Sequence, residues 1–169
     1  DRAIASLREG GEVDLEVSGN KGSEIELHIP ALIPDTYLPD IHARLTLYKR
    51  IASAMDEAEL EELKVEMIDL FGLLPDSVKN LFQQTLLRLY ATDLGIKRLD
   101  LSAQGGRIEF EENPNISADV LIKMVQSQPQ IYGFEGTQTL RIREELPEHE
   151  QRLQTAYDLV SALGGKRAA

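Results

Sequence analysis

The chain is an acidic protein of 169 residues with a net charge of −11, and 42% of its residues are hydrophobic. This length suits one domain, or one domain with an arm, and the charge argues against direct nucleic-acid binding, which needs clustered Lys and Arg to neutralise phosphates. The absence of cysteine excludes disulfides and thiolate zinc sites, and no apolar run approaches the roughly 20 residues of a membrane span, so we expect a cytoplasmic protein without a membrane contact.

The first 24 residues are predicted to be the end of a preceding domain and a linker. Residues 1–8 have the pattern of the last two turns of a helix, Gly10 and Gly11 follow as a stop signal, and Gly19 to Gly22 mark a turn or mobile loop. Since the chain starts without an initiator Met, we expect it to be a piece of a longer protein. Residues 25–163 are predicted to form one compact domain, and residues 164–169 a flexible tail.

The compact domain is predicted to be α+β. A half-buried strand is indicated by the alternation of Ile25, Leu27 and Ile29 with polar residues. Helices are then expected over about 40–54, 56–71, 76–94, 117–125 and 147–163, with hairpins over 96–111 and 130–143. Helices and hairpins without regular βαβ alternation favour helices packed on short, mainly antiparallel strands, preceded here by an extended N-terminal linker arm.

The helix after Asp56 has both of its ends marked in the sequence. Asp56 can act as the N-cap, and Glu59 stands three residues later, as a capping box requires. Gly72 can take the left-handed conformation that ends a helix, and Pro75 prevents its resumption. We therefore predict a helix over residues 56–71.

This helix has an apolar stripe and an acidic stripe. Helical spacing places four apolar residues on one face: Leu60, Leu63, Met67 and Phe71. A second stripe is acidic: Glu59, Glu62, Glu66 and Asp69. Residues 56–69 carry seven acids against Lys64, a local charge of six negative, which exceeds what pairing within the helix explains. Val65 and Ile68 lie beside the acids, where they either pack on a second helix or form the apolar centre of an interface.

The sequence lacks the motifs of the common catalytic and metal sites. It has no phosphate-binding G-x-x-x-x-G-K-[ST] loop, nucleophile elbow or H-E-x-x-H helix, and no calcium loop with EF-hand spacing. Three histidines are scattered along the chain and are expected at the surface or in satisfied positions: His28, His42 and His149. We therefore predict no catalytic residue, no cofactor and no metal, and an acidic face that is either solvated or used to bind a partner.

Several segments together resemble the C-terminal domain of bacterial transcription-repair coupling factors, the Mfd family. The resemblance spans roughly residues 25–163. It rests on Leu32-Ile33-Pro34-Asp35, Tyr37-Leu38-Pro39-Asp40, Arg44-Leu45, Tyr48-Lys49-Arg50-Ile51-Ala52, Glu61-Glu62-Leu63, Asp69, Phe71-Gly72-Leu73-Leu74-Pro75, Leu94-Gly95-Ile96 and Ile108-Glu109-Phe110. One position departs from the family pattern, which commonly has a basic residue where this chain has Leu70.

The resemblance implies a regulatory role within a larger DNA translocase. In that family the C-terminal domain folds back on an N-terminal module similar to UvrB, masks its UvrA-binding surface, and restrains ATPase activity until the protein engages stalled RNA polymerase. The parent would be the ATP-dependent enzyme, and this domain would be non-catalytic and autoinhibitory. By position in the family motif, Glu66 and Asp69 are the best candidates to hold the N-terminal module, with Glu62 and Glu59 in the same stripe and Val65 beside them.

A second function stays open on the same residues. The acidic helix over residues 56–71 can instead serve as a recruitment or motor-coupling module that binds a different protein. Binding to the separately produced N-terminal module, weakened by salt, would favour masking over recruitment.

Overall fold

The computed structural model describes residues 22–164, so most of the predicted linker arm and tail lies outside the described residues. This part of the chain contains five strands and five helices. In chain order they are β1 (Glu24–Glu26), α1 (Ile41–Ala52), α2 (Glu57–Phe71), α3 (Asp76–Leu94), β2 (Ile96–Ser102), β3 (Gly105–Phe110), α4 (Ala118–Ser127), β4 (Tyr132–Glu135), β5 (Thr139–Ile142) and α5 (His149–Gly164). The predicted α+β class is confirmed.

The five strands form one sheet in the order β1-β2-β3-β5-β4. β1 pairs with β2 in parallel, and the other neighbouring pairs are antiparallel. Both predicted hairpins, β2-β3 and β4-β5, are present. Gly106 of β3 is required by the pairing itself, because a Cβ there would lie 1.7 Å from the carbonyl oxygen of Asp100 on β2.

Within the described residues the chain divides into two compact units. Unit 1 is Pro30–Leu86 and contains α1, α2 and the first part of α3. Unit 2 comprises Gly22–Ile29 and residues 87–164, and contains the sheet, the last turns of α3, α4 and α5.

The core of unit 1 is supplied by its three helices and by the proline-rich segment that precedes them. Its buried apolar residues are Ile33, Leu38, Leu47, Tyr48, Ile51, Ala52, Ala54, Leu60, Leu63, Met67, Val78, Leu81 and Phe82. The hydroxyl of Tyr48 accepts a hydrogen bond from the backbone N–H of Ile33 at 2.8 Å. This bond ties the extended segment to α1, because a buried backbone donor needs a partner.

The core of unit 2 lies between the sheet, the last turns of α3 and helix α5, with partly buried side chains of α4 packed against it. It contains Leu27 after β1, Leu99 and Leu101 of β2, and Leu159 and Val160 of α5. The predicted strand through residue 29 is shorter than expected, since β1 ends at Glu26. The backbone turns at His28, whose φ of 56° lies in the left-handed region.

Candidate functional site

Helix α2 begins and ends as its sequence predicts. The carboxylate of Asp56 accepts the N–H of Glu59 at 2.9 Å, and the carboxylate of Glu59 accepts the N–H of Met55 at 2.7 Å. The first bond is the N-cap bond of a capping box, whereas Glu59 reaches one residue beyond the N-cap Asp56, to the N–H of Met55. At the other end Gly72 has a φ of 99°, and its N–H donates to the carbonyl of Ile68 at 3.0 Å. The carboxylate of Glu59 therefore stabilises the first turn of α2 by accepting a backbone N–H.

The apolar stripe of α2 packs into the core of unit 1. Leu60, Leu63 and Met67 are all buried, while Phe71 is half-buried at the end of the stripe. The ring of Phe71 meets Tyr37 edge to face, with 5.9 Å between ring centroids. The hydroxyl of Tyr37 donates to the carbonyls of Met67 and of the C-cap glycine at 3.2 and 2.9 Å. These contacts fix the last turn of α2 against the rest of unit 1. They thereby also fix the direction in which the exposed face of α2, opposite the buried stripe, points.

The opposite face of α2 is exposed and combines acids with apolar side chains. At about 100° per residue, Glu62, Val65 and Asp69 project within roughly 60° of one another, directly away from the buried stripe. All three are exposed, Val65 to 58%. Ile68 flanks this outer face and is 38% exposed. Val65 and Ile68 are therefore not buried against a second helix of the described chain.

Glu66 is held by an arginine from the neighbouring helix. Both terminal nitrogens of the Arg50 guanidinium, in the last turn of α1, donate to the Glu66 carboxylate, with Nη1–Oε2 and Nη2–Oε1 distances of 2.7 and 2.8 Å. These hydrogen bonds lower the pKa of Glu66 below its ordinary value. The side chains of both residues remain about half exposed, at 45% for Arg50 and 41% for Glu66. Glu66 is thus neutralised by its own chain.

The remaining acids of α2 differ in their partners. Lys64 pairs with Glu61 at 3.0 Å, three residues earlier on the helix. Glu62 and Asp69 make no ion pair within residues 22–164. Of the acidic residues selected from the sequence, Glu62 and Asp69 are consequently the two whose carboxylates are available to an approaching cation.

A shallow groove runs between α1 and α2 beside the Arg50–Glu66 pair. Its volume is about 300 Å³. The groove is lined by His42, Ala43, Thr46, Leu47, Arg50, Glu66, Met67, Leu70 and Phe71. Leu70 is 64% exposed at this edge of α2. This edge of the groove is therefore apolar.

The sequence indicated the acids of this surface but not their pairing. The sequence gives no sign that Arg50, in the Tyr-Lys-Arg-Ile segment, contacts Glu66, because a contact across 16 residues between two helices has no local signal. The one available hint is its place in the last turn of α1, where cations are favoured by the helix dipole.

No group of His, Asp and Glu side chains in residues 22–164 is arranged to hold a metal ion. In the same residues no helix is long and apolar enough to cross a bilayer. The acidic outer face of α2, with the neighbouring ion pair, is therefore the surface on which a function can be argued.

Comparison with known proteins shows that this chain is similar to transcription-repair-coupling factors. It is similar to the transcription-repair-coupling factor of Haemophilus influenzae, with 44% identity over 96% of this chain, and to that of Escherichia coli, with 43% identity over 91%. The chain spans only 14% and 13% of the lengths of these relatives.

The fold also has a counterpart among solved structures. The crystal structure of a C-terminal domain of transcription-repair coupling factor aligns with a TM-score of 0.66 and 24% identity, covering 88% of this chain and 99% of that one. The family model of the TRCF domain matches residues 27–121, more than half of the sequence. The chain therefore belongs to the TRCF domain family.

Proposed function

We propose that this chain is a non-catalytic, autoinhibitory domain of a transcription-repair coupling factor that acts in the cytoplasm. In this proposal the outer face of α2 docks on a basic surface of the parent's N-terminal UvrB-like module and masks the surface that binds UvrA. It restrains the ATPase of the DNA translocase until the parent engages RNA polymerase. Membership of the TRCF domain family supports the assignment to a transcription-repair coupling factor. The exposed carboxylates of α2 support the docking on a basic surface.

The observation that carries the proposal is the exposed trio of Glu62, Val65 and Asp69. Two carboxylates without an ion-pair partner in the described chain flank an apolar side chain on a rigid helix. Carboxylates accept short, charge-assisted hydrogen bonds from arginine, often two at once. An apolar centre with charged neighbours is the composition of a protein interface. The complementary surface is therefore basic, with an apolar spot opposite Val65.

A contact of this kind suits a domain that must bind the N-terminal module reversibly. Exposed charges steer association and give specificity more than they give affinity, and salt weakens them. The rigid position of α2, fixed by its caps and by its buried stripe, spares the interface the entropy of ordering a loop. A docking face of this type can hold a module in place and still release it when another partner competes.

The experiment is charge reversal in the full-length parent. Glu62→Lys together with Asp69→Lys should raise the basal ATPase and expose the UvrA-binding surface, because each change places a cation against a basic partner. Glu111→Lys together with Glu112→Lys is the matched control, since these exposed residues outside α2 give the same change in charge. If the ATPase and UvrA binding both stay at the repressed level in the α2 variant, the assignment of the docking face is wrong.

A further inference from the structure

The ion pair between Arg50 and Glu66 stands at the edge of the proposed docking face. The arginine contacts both carboxylate oxygens of Glu66 at 2.7 and 2.8 Å. A partner arginine that binds a carboxylate in the same two-pronged way needs the same two oxygens. The two guanidinium groups therefore compete for one site.

We propose that Arg50 is a built-in competitor, which occupies Glu66 in the free domain and is displaced when an arginine of the partner surface takes that carboxylate. This inference rests on the proposed function, because it assumes that α2 meets a basic surface. It adds a regulatory element to that function. Part of the attraction between the domain and its partner is cancelled in advance by Arg50.

The geometry makes this exchange feasible. Arg50 and Glu66 are both about half exposed, so an incoming side chain reaches the pair without unfolding either helix. Both residues line the groove between α1 and α2, which provides access beside the pair. An exposed ion pair is weak, because water and salt screen it and both side chains lose freedom. A competing arginine on a docked surface can therefore replace Arg50.

The competition assigns different roles to Glu66 and Asp69. Asp69 has no ion-pair partner in residues 22–164 and attracts a basic surface directly. Glu66 attracts it only after Arg50 has left. Neutralising Glu66 should consequently cost little affinity while Arg50 is present, and more once Arg50 has been removed.

A double-mutant cycle with the 169-residue chain tests the inference. The probe is the UvrB-like N-terminal module of the same parent, and the measured quantity is the Kd at low ionic strength. Arg50→Gln should tighten binding about threefold, the size of one exposed charge pair. Glu66→Gln should weaken binding less than twofold in the natural chain and about threefold in the Arg50→Gln background. Unchanged or weaker binding by Arg50→Gln would overturn the inference.

Two controls separate competition from a general charge effect. Lys49→Gln removes the same charge from the adjacent exposed position of α1, where no ion pair with Glu66 exists, and should tighten binding less than Arg50→Gln. Arg50→Lys keeps the charge but loses the planar fork, so it should tighten binding partially. Equal effects of Lys49→Gln and Arg50→Gln would show that only net charge matters and would overturn the competition.

The failure of this inference can be told from the failure of the proposed function. If Asp69→Lys leaves the Kd unchanged, α2 is not the docking face and both proposals are overturned. If Asp69→Lys weakens binding but Arg50→Gln does not tighten it, the docking face is supported and the competition by Arg50 is overturned.

Carbon-13 NMR titration of Glu66 in the free chain reports independently on the ion pair. Arg50→Gln should raise the pKa of Glu66, and an unchanged pKa would contradict the ion pair between Arg50 and that carboxylate.

Discussion

Arg152 on α5 is a buried cation whose hydrogen bonds all go to backbone carbonyls in the described chain. It is 6% exposed. Its Nε donates to Leu146 at 2.8 Å, and its Nη2 to Pro147 at 3.1 Å. Its Nη1 donates to Leu27 and His28 at 3.2 and 2.9 Å. One side chain thus joins the segment after β1 to the start of α5 within unit 2.

We predict that Arg152→Met destabilises the chain by about 3 kcal/mol. A hydrogen bond from a charged donor contributes about 1.5–3 kcal/mol, and four bonds are lost. The loss is partly offset because burying a cation is itself costly, and methionine retains much of the apolar stem. A destabilisation of this size should lower the Tm by about 10 °C in a chain of this length.

The assay is urea unfolding followed by circular dichroism, with amide hydrogen exchange as the local readout. Exchange at Leu27 and His28 should accelerate more in Arg152→Met than exchange in α2, which lies in unit 1. Arg107→Met is the matched control: Arg107 is half exposed, with ion pairs no shorter than 3.7 Å, and should change stability by less than about 1 kcal/mol. A loss below about 1 kcal/mol for Arg152→Met would refute the reasoning.

Two further predictions concern α2. Asp56→Ala should lower the free energy of unfolding, measured in urea, by about 1 kcal/mol, because the N–H of Glu59 loses its acceptor. Asp69→Ala is the control: it removes no hydrogen bond in the described chain and should change the free energy of unfolding by no more than about 0.5 kcal/mol. Equal losses in the two variants would contradict the capping role of Asp56. The pair with Arg50 lowers the pKa of Glu66 from 4.5, so its stabilisation is present above that unfolded value and is lost as the pH falls through the lower folded value. Arg50→Gln should therefore lose less stability between roughly pH 5 and pH 3 than the natural chain does, as measured by urea midpoints; identical pH profiles would contradict the contribution of the pair.

Local signals in the sequence were sufficient to predict α2. Asp56, Glu59 and Gly72 mark its ends by backbone chemistry that acts within one helical turn, and each does so in the structure. The period of the apolar stripe likewise identified Leu60 and Met67 as buried. Features that depend on neighbours along the chain could be predicted because the cause and the effect lie in the same segment.

Features that depend on distant neighbours could not be predicted. The parallel pairing of β1 with β2 joins residues more than 70 positions apart. Nothing around Arg152 distinguishes it from an exposed helical arginine, and only the packing of α5 beside the turn at His28 buries it. The hold of Arg50 on Glu66 likewise depends on how two helices pack.

The exposure of Val65 and Ile68 was an open alternative in the sequence. Helical spacing places them beside the acids but does not say whether another helix covers them. Both are exposed in the described chain and are therefore not core residues there, while their place in an interface stays a prediction. The family resemblance is confirmed by the TRCF domain match, whereas the identity of the partner remains a proposal.

The most direct test of the docking face is the binding of this chain to the UvrB-like N-terminal module of its parent, measured across salt concentrations. We predict a complex whose Kd rises with ionic strength, and a Glu62→Lys/Asp69→Lys variant that binds more weakly and with a smaller dependence on salt. The Glu111→Lys/Glu112→Lys control should bind like the natural chain. No binding to the module, or equal binding by the α2 variant, would contradict the central claim that the outer face of α2 docks on that module.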